Sequence, residues 1–300
     1  MRRFIDENFK HFNAGELQRC AESLSEFISN GGRLMLTMAG ALSTAGIGRT
    51  LAPAIRLGLV HAICCTGANL EEDLFRALQK SNSPRYDWRN LSAEDEGNIE
   101  NRVTDTSIPE QIIREAEDLM IGIWKDSEEA LPPHEYLYRI LPEKDDSWLS
   151  AAREMQIPVF TPGWADSTLG NIFSARLIDG TLSNSTIIRN DLDRMTDLAE
   201  WYCSNDAPTG FLQIGGGIAG DYAICVVPML IQDLQKDVPL WSWFAQISES
   251  RPSYGGYSGA PPNEKISWQK LAVDTPKFVI ESDATIVLPL LLQYLLESFS

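Results

Sequence analysis

The sequence predicts an α/β fold: a doubly wound, mostly parallel sheet with helices on both faces. Three observations lead there. Short apolar runs alternate with stretches of helical periodicity along most of the chain, as expected for buried parallel strands joined by crossover helices. Runs near the start of the chain end in loops of small residues, where the ligands of open sheets bind. Finally, 300 residues with 44% hydrophobic content supply one large core, and no repeat or low-complexity linker divides it. A single Rossmann-like domain over residues 1–300 is therefore expected.

The elements follow in order. Leu34–Met38 reads as the first strand, leading through Ala39-Gly40-Ala41 to a helix from about Ile47 to Leu57. His61–Cys65 reads as the second, and Thr66-Gly67-Ala68-Asn69 carries it into the acidic helix start Glu71-Glu72-Asp73. From Asn82 to about Pro133 the chain is polar, acid-rich and punctuated by Pro84, Pro109 and Pro132. That stretch predicts helices and loops outside the sheet. Strands resume at Ile157–Phe160, Gly210–Ile214, Pro239–Phe244 and Lys277–Ile280. The apolar stretch Ala284–Leu296 contains Pro289 and is too short for a bilayer, so it reads as a buried C-terminal helix beginning near Asp283.

Composition excludes several classes of function. Against 42 acidic residues stand 25 basic ones, a formal charge of -17 that repels phosphate backbones and favours cationic small molecules. Neither nucleic acid nor membrane is an expected partner. Cys20, Cys64, Cys65, Cys203 and Cys225 show no CxxC spacing, and His11, His61 and His134 lie far apart, so no metal site is expected. Free thiols, and an N-terminus whose Asp6 and Glu7 interrupt any signal core, point to the cytoplasm.

Gly215-Gly216-Gly217 follows a strand and precedes a helix, an arrangement that lets backbone approach a ligand closely. A simple tight turn looks the same, and there is no GxGxxG fingerprint. The loop Tyr254-Gly255-Gly256-Tyr257-Ser258-Gly259-Ala260 mixes aromatics with small residues, and Glu264-Lys265-Ile266-Ser267-Trp268-Gln269-Lys270 follows it directly.

Taken together these segments resemble the deoxyhypusine synthases and their bacterial relatives, from about Phe12 to Leu296. Thr66 to Leu74 is similar to the family's cofactor loop and its Glu-Glu-Asp-Leu signature. Thr161-Pro162-Gly163-Trp164-Ala165-Asp166-Ser167-Thr168-Leu169-Gly170 resembles the segment whose acid meets the adenosine ribose. The triple glycine, the Ser-Gly-Ala at 258–260, the Ser-Trp-x-Lys at 267–270 and Asp283-Ala284 recur in family order. The resemblance implies an NAD site formed by Gly40, Ala41, Thr66, Gly67, Ala68, Glu72, Asp166, Gly215, Gly216, Gly217, Ser258, Asp283 and Ala284. It further implies that Lys270 forms a covalent imine, that Glu264 holds an ammonium end of a polyamine-type substrate, and that Trp268 walls its methylene chain. A homotetramer with sites between subunits is also implied.

Three positions depart from the hypusine-forming pattern. Where that pattern has a basic pair with a catalytic histidine, this chain has Gly220, Asp221 and Tyr222; two amine-binding aspartates are replaced by Asn171 and Tyr257. Two carboxylates are lost and one is gained. The expected activity is thus aminoalkyl transfer between small amines, as in homospermidine formation, with Asp221, Asn171 and Tyr257 in the substrate site. Modification of a translation-factor lysine, a catalytically inactive NAD-binding relative and a sirtuin-like deacylase are the alternatives; Lys270 speaks against the second and the lack of zinc cysteines against the third. Loops 66–68 and 215–217 should line one crevice at the carboxyl edge of the sheet near Asp166 and Asp283, and Asp221 and Glu264 should share one cavity.

Overall fold

The computed structural model of the chain describes residues 1–79, 85–87, 89–90, 101–252 and 255–299. Its centre is a six-stranded sheet in the order β5-β2-β1-β6-β7-β8, every neighbouring pair parallel. The strands are β1 (Arg33–Met38), β2 (Ala62–Cys65), β5 (Val159–Phe160), β6 (Thr209–Ile214), β7 (Trp243–Ile247) and β8 (Lys277–Ile280). The chain builds outward from β1 to β2 and β5, returns to β1's other side at β6, and continues to β7 and β8. The sheet therefore changes direction between β1 and β6, and the loops that follow them diverge there.

Each strand sends alternate side chains to opposite faces. Leu34, Leu36 and Met38 of β1, Leu212 and Ile214 of β6, and Trp243, Ala245 and Ile247 of β7 join the larger core. The helices Phe12–Ser29, Gly48–Arg56, Trp148–Met155 and Ala284–Phe299 cover that face. Met35, Phe211 and Phe244 enter the smaller core, together with the helices Asp191–Tyr202 and Gly217–Ile224. Trp241 is fully buried there, with Tyr202 and Phe211 edge-on at 4.8 Å each. Among the described residues no helix is long and apolar enough to cross a membrane, and no group of metal-ligating side chains assembles.

Four sequence expectations need correction. The fifth strand of the sheet is Trp243–Ile247 and not 239–244. Pro239 has no N–H to give a ladder, and Trp241 N instead reaches Lys270 O, leaving Trp243 opposite Gly210 as the first paired residue. The run at 157–160 yields only the two residues of β5. Of the polar excursion, residues 80–84, 88 and 91–100 lie outside the described set; the described part holds an antiparallel hairpin, β3 (Asn101–Val103) with β4 (Thr106–Ile108), whose turn places Thr104 at φ 54°. The C-terminal helix buries Val287, Leu288, Leu291, Leu292, Tyr294 and Leu295 but leaves Ile286 60% exposed, because neighbours cover one side only.

Three consecutive acids in the helix Gly67–Leu78 are buried, and each is spent on backbone or hydroxyl donors. Glu71 accepts from Thr168 N and Leu169 N at the start of the helix Thr168–Ile178, at 2.8 and 2.7 Å. Asp73 does the same for the helix Trp148–Met155 through Ser147 Oγ and Leu149 N. Carboxylates suit these positions because the first amides of a helix lack partners and carry partial positive charge. Glu72 accepts from Thr44 Oγ1 at 2.7 Å and from Thr44 N at 3.3 Å. Burial raises Glu72 to about 7 and Asp73 to about 6.

A carboxyl whose folded value lies above its unfolded one stabilises the fold below the unfolded value and loses that contribution as pH rises through the folded one. For Glu72 that window runs from 4.5 to about 7, worth about 3 kcal/mol. Glu72→Gln should lose stability between pH 4.5 and 7 less steeply than the wild type, by about that amount. Parallel urea melting curves for the two proteins would remove the argument.

Candidate active site

The first part of the site lies where the sheet reverses. Asn69 is fully buried, and its Nδ2 donates to Met38 O, Ala39 O and Gly40 O at 3.2, 3.1 and 2.9 Å. Thr66 Oγ1 also donates to Gly40 O, at 2.8 Å, and Asn69 Oδ1 receives Ser43 N. The loop after β1 is thereby tied to the loop after β2. On the other side of the reversal, Gly215 N donates to Ile247 O, and Gly217 N donates to Ser258 Oγ. A Cβ on Gly216 would collide with Ser258, whereas at Gly40 and Gly217, both with positive φ, a Cβ would meet nothing within 4 Å. A glycine-walled crevice faces solvent there, its Gly215 and Gly217 amides already engaged, and its lack of side chains suits the close approach of a dinucleotide's pyrophosphate.

The second part is a cavity of about 460 Å³ on the smaller-core face, lined by Asp221 and Cys225 of the helix Gly217–Ile224 and its C-cap, by Tyr257, and by Glu264, Lys265, Trp268 and Lys270. Lys270 is 7% exposed, and its Nζ donates to Asp221 Oδ1 at 3.1 Å. Cys225 Sγ also donates to Asp221 Oδ1, at 3.3 Å, and burial pushes that thiol up. Lys270 Nζ lies 5.4 Å from the centroid of the Tyr257 ring. Glu264 and Trp268 stand at the open side, Trp268 at 59% exposure.

The family description of deoxyhypusine synthase matches residues 7–295. The chain belongs to the deoxyhypusine synthase family. "Probable deoxyhypusine synthase 1" of Archaeoglobus fulgidus is 28% identical over 95% of this chain and 90% of its own. A "deoxyhypusine synthase-like protein" of Cyanothece is 28% identical over 97% and 78%. A solved structure of an Entamoeba histolytica protein assigned as a deoxyhypusine synthase shares the fold, at a TM-score of 0.60 and 12% identity, over 97% of this chain and 90% of that one.

Within this deoxyhypusine synthase fold the expected residues divide into three groups. Gly40, Ala41, Thr66, Gly67, Ala68 and the triple glycine follow β1, β2 and β6 at one edge. Asp166 is exposed on the loop packed against Gly67, where a Cβ on that glycine would meet Ser167. Asp283 precedes the C-terminal helix at the end of β8, its Oδ1 taken by Thr285 N and Oγ1; Ala284 begins that helix, and Thr285 shares a small pocket with Leu42, Gly46 and Ile47. Lys270, Asp221, Glu264, Trp268 and Tyr257 come together in the cavity. Asn171 is not brought there, its amide donating to Ala165 O and Ser167 O and holding the loop that carries Asp166, while the carboxylate of Glu72, expected at the cofactor site, accepts from Thr44 of the loop after β1. Tyr254 lies outside the described residues.

Sequence reasoning passed over Asn69, Gln213, Gln246 and Lys265. Gln213 and Gln246 are opposite each other in the register of β6 and β7, both buried on the cavity side. Gln213 receives Tyr257 Oη at 2.7 Å and donates to Gly215 O; Gln246 donates to Ser258 O. One amide row thus fixes both the triple glycine and the 257–260 turn. A lone glutamine inside an otherwise apolar strand was the available signal, since buried amides need partners.

Replacing Asn69 by leucine should remove one bond from each of three carbonyls, of which Met38 O and Gly40 O keep a donor in Thr66, and take away the partner of the Ser43 amide, at a cost of about 3 kcal/mol. A denaturation midpoint unchanged from wild type would show that the loops hold themselves without it.

Proposed function

We propose that this protein is an NAD-dependent aminoalkyl transferase acting on polyamine-type amines through an imine on Lys270, with a small amine as acceptor, as in homospermidine formation. The observation that carries the reading is the buried Lys270 beside Asp221 in a cavity that also holds Glu264 and Trp268. Membership of a family of aminobutyl transferases supports it, and the glycine-walled crevice suits the cofactor.

Bound there, NAD would accept a hydride from the carbon beside an amine nitrogen and return it later in the same cycle. The chain's own residues do the rest. Glu264 and Asp221 pair with substrate ammonium groups, and Trp268 and the Tyr257 ring flank the methylenes and attract their cations. Once Asp221 is engaged by substrate, Lys270 loses its counter-ion and gives its proton to solvent. Its free amine adds to the activated carbon, the leaving amine departs with a proton, and a C=N bond to Lys270 remains. The acceptor amine then attacks that carbon and releases Lys270. With an acid gained at Asp221 and Tyr257 standing where the hypusine-forming pattern has an acid, the cavity is set for amines other than those of that pattern.

A homotetramer with sites between subunits belongs to the same proposal. Ile218 and Trp268, 52% and 59% exposed beside the crevice and cavity, support a partner surface there.

Incubating the protein with NAD and a panel of amines, then adding borohydride, should fix an aminoalkyl mass on Lys270. Lys270→Arg should lose both adduct and transfer while still binding NAD; retained transfer in that variant would refute the mechanism. Asp221→Asn should raise the KM for the amine about tenfold with little change in NAD binding. A shift confined to NAD binding would move Asp221 to the nucleotide site.

A further inference from the structure

The opposite edge of the sheet holds a second cavity, of about 670 Å³, that neither the crevice nor the amine site uses. Gln156, Ile157 and Pro158 line it just before β5 begins, so it lies at the amino ends of the strands, away from the loops that follow β1, β2 and β6. The helix Pro133–Tyr138 gives it His134 and Tyr138, and the helix Asp191–Tyr202 gives it Arg194.

Two buried polar atoms at this wall have no partner. His134 is 5% exposed, and its Nδ1 meets no donor or acceptor; nor does the Oη of Tyr138, whose ring stands edge-on to the imidazole at 5.3 Å. Folded proteins leave few buried polar atoms unpaired, and two on adjoining rings mark a place with a role beyond packing. Burial, and then the nearby Arg194, push His134 down to about 3. The imidazole is therefore neutral and offers one donor and one acceptor.

The three arginines of the cavity are used unequally. Arg189 is held by Asp193 and Asp197, and Arg194 by Asp197 and Val159 O. Arg153 is different. Its Nη1 donates to Tyr138 O and Leu141 O at 2.9 and 3.1 Å, while no carboxylate among the described residues pairs with it. Nε and Nη2 remain unspent, and together they form the planar fork that grips both oxygens of a carboxylate. Glu135 also lines the cavity, its side chain half exposed and its Oε1 3.7 Å from His134 Nε2. One unpaired guanidinium beside one acid suits a ligand with a single negative charge. Leu131, Pro132, Ile157 and Pro158 give that ligand an apolar surface to lie on.

We propose that this cavity is a second binding site, for a small carboxylic acid with an apolar body, whose carboxylate takes the Nε and Nη2 edge of Arg153 beside His134 and Tyr138. It lies apart from the aminoalkyl chemistry and stands whether or not that reading holds.

The test is titration calorimetry of the full chain with phenylacetate and phenylacetamide, which share a body and differ in charge at one end. Wild-type protein should bind phenylacetate about tenfold or more tighter than the amide. Arg153→Met should lose that preference, and Arg153→Lys, which keeps the charge without the fork, should retain only part of it. Gln156 is exposed at the rim of the cavity, so Gln156→Glu adds a repelling charge without disturbing the core and should weaken phenylacetate several-fold while sparing the amide. Absence of phenylacetate binding, or equal binding of the two probes by the wild type, overturns the inference, as does an undiminished preference in folded Arg153→Met. If Arg153→Met does not fold, Gln156→Glu decides: unchanged phenylacetate affinity there places the acid elsewhere and overturns the site.

Discussion

The buried amide of Asn69 holds the point on which the rest of the site depends. A parallel sheet that reverses direction leaves two loops splaying apart, and loops with exposed carbonyls would otherwise fray into solvent. Asn69 gathers the carbonyls of Met38, Ala39 and Gly40 from one side and receives Ser43 from the other. Ser43 also receives the indole N–H of Trp148, so the bond network runs from the crevice into the larger core. Buried, fully satisfied polar groups of this kind rigidify what they touch, because any rearrangement leaves donors unpaired in a low dielectric.

Glu71, Glu72 and Asp73 extend the same logic. Three carboxylates in succession would ordinarily be read as a solvated face, yet all three point inward, to two helix starts and to the Thr44 loop. Burial opposes their ionisation, and the amides they meet favour it. The balance leaves Glu72 titrating near neutrality, so the support beneath the crevice carries a proton-dependent component.

On the opposite face the amide row of Gln213 and Gln246 plays the corresponding part. Each glutamine spends one end on the glycine loop or the 258 turn and the other on a side chain of the cavity, Tyr257 or Lys265. Crevice and cavity are therefore joined through two strand residues rather than through flexible loops. This coupling fits a chemistry in which cofactor and amine must meet at fixed distance.

The strands with strong apolar runs, the small-residue loops after them and the assembly of Lys270, Glu264, Trp268 and Asp221 in one place were legible in the sequence, because burial on both faces and motif order are local properties. The start of β7 was not, since it depends on Trp241 finding Lys270 O across the fold. Nor were the uses of Glu72 and Asn171, whose partners lie 28 residues away at Thr44 and in the loop beneath the helix start. Lys265 shows the division most plainly. Its position five residues before Lys270 was visible, but only the helix ending that joins Lys270 N to Lys265 O and the packing of Tyr257 and Phe244 turn that spacing into a buried cation beside an acidic wall. Sequence by itself determined which side chains were available and which fold would present them. Which of them lost water, and with it gained or surrendered a partner, was decided by tertiary packing, because desolvation belongs to the assembled core and to no single segment.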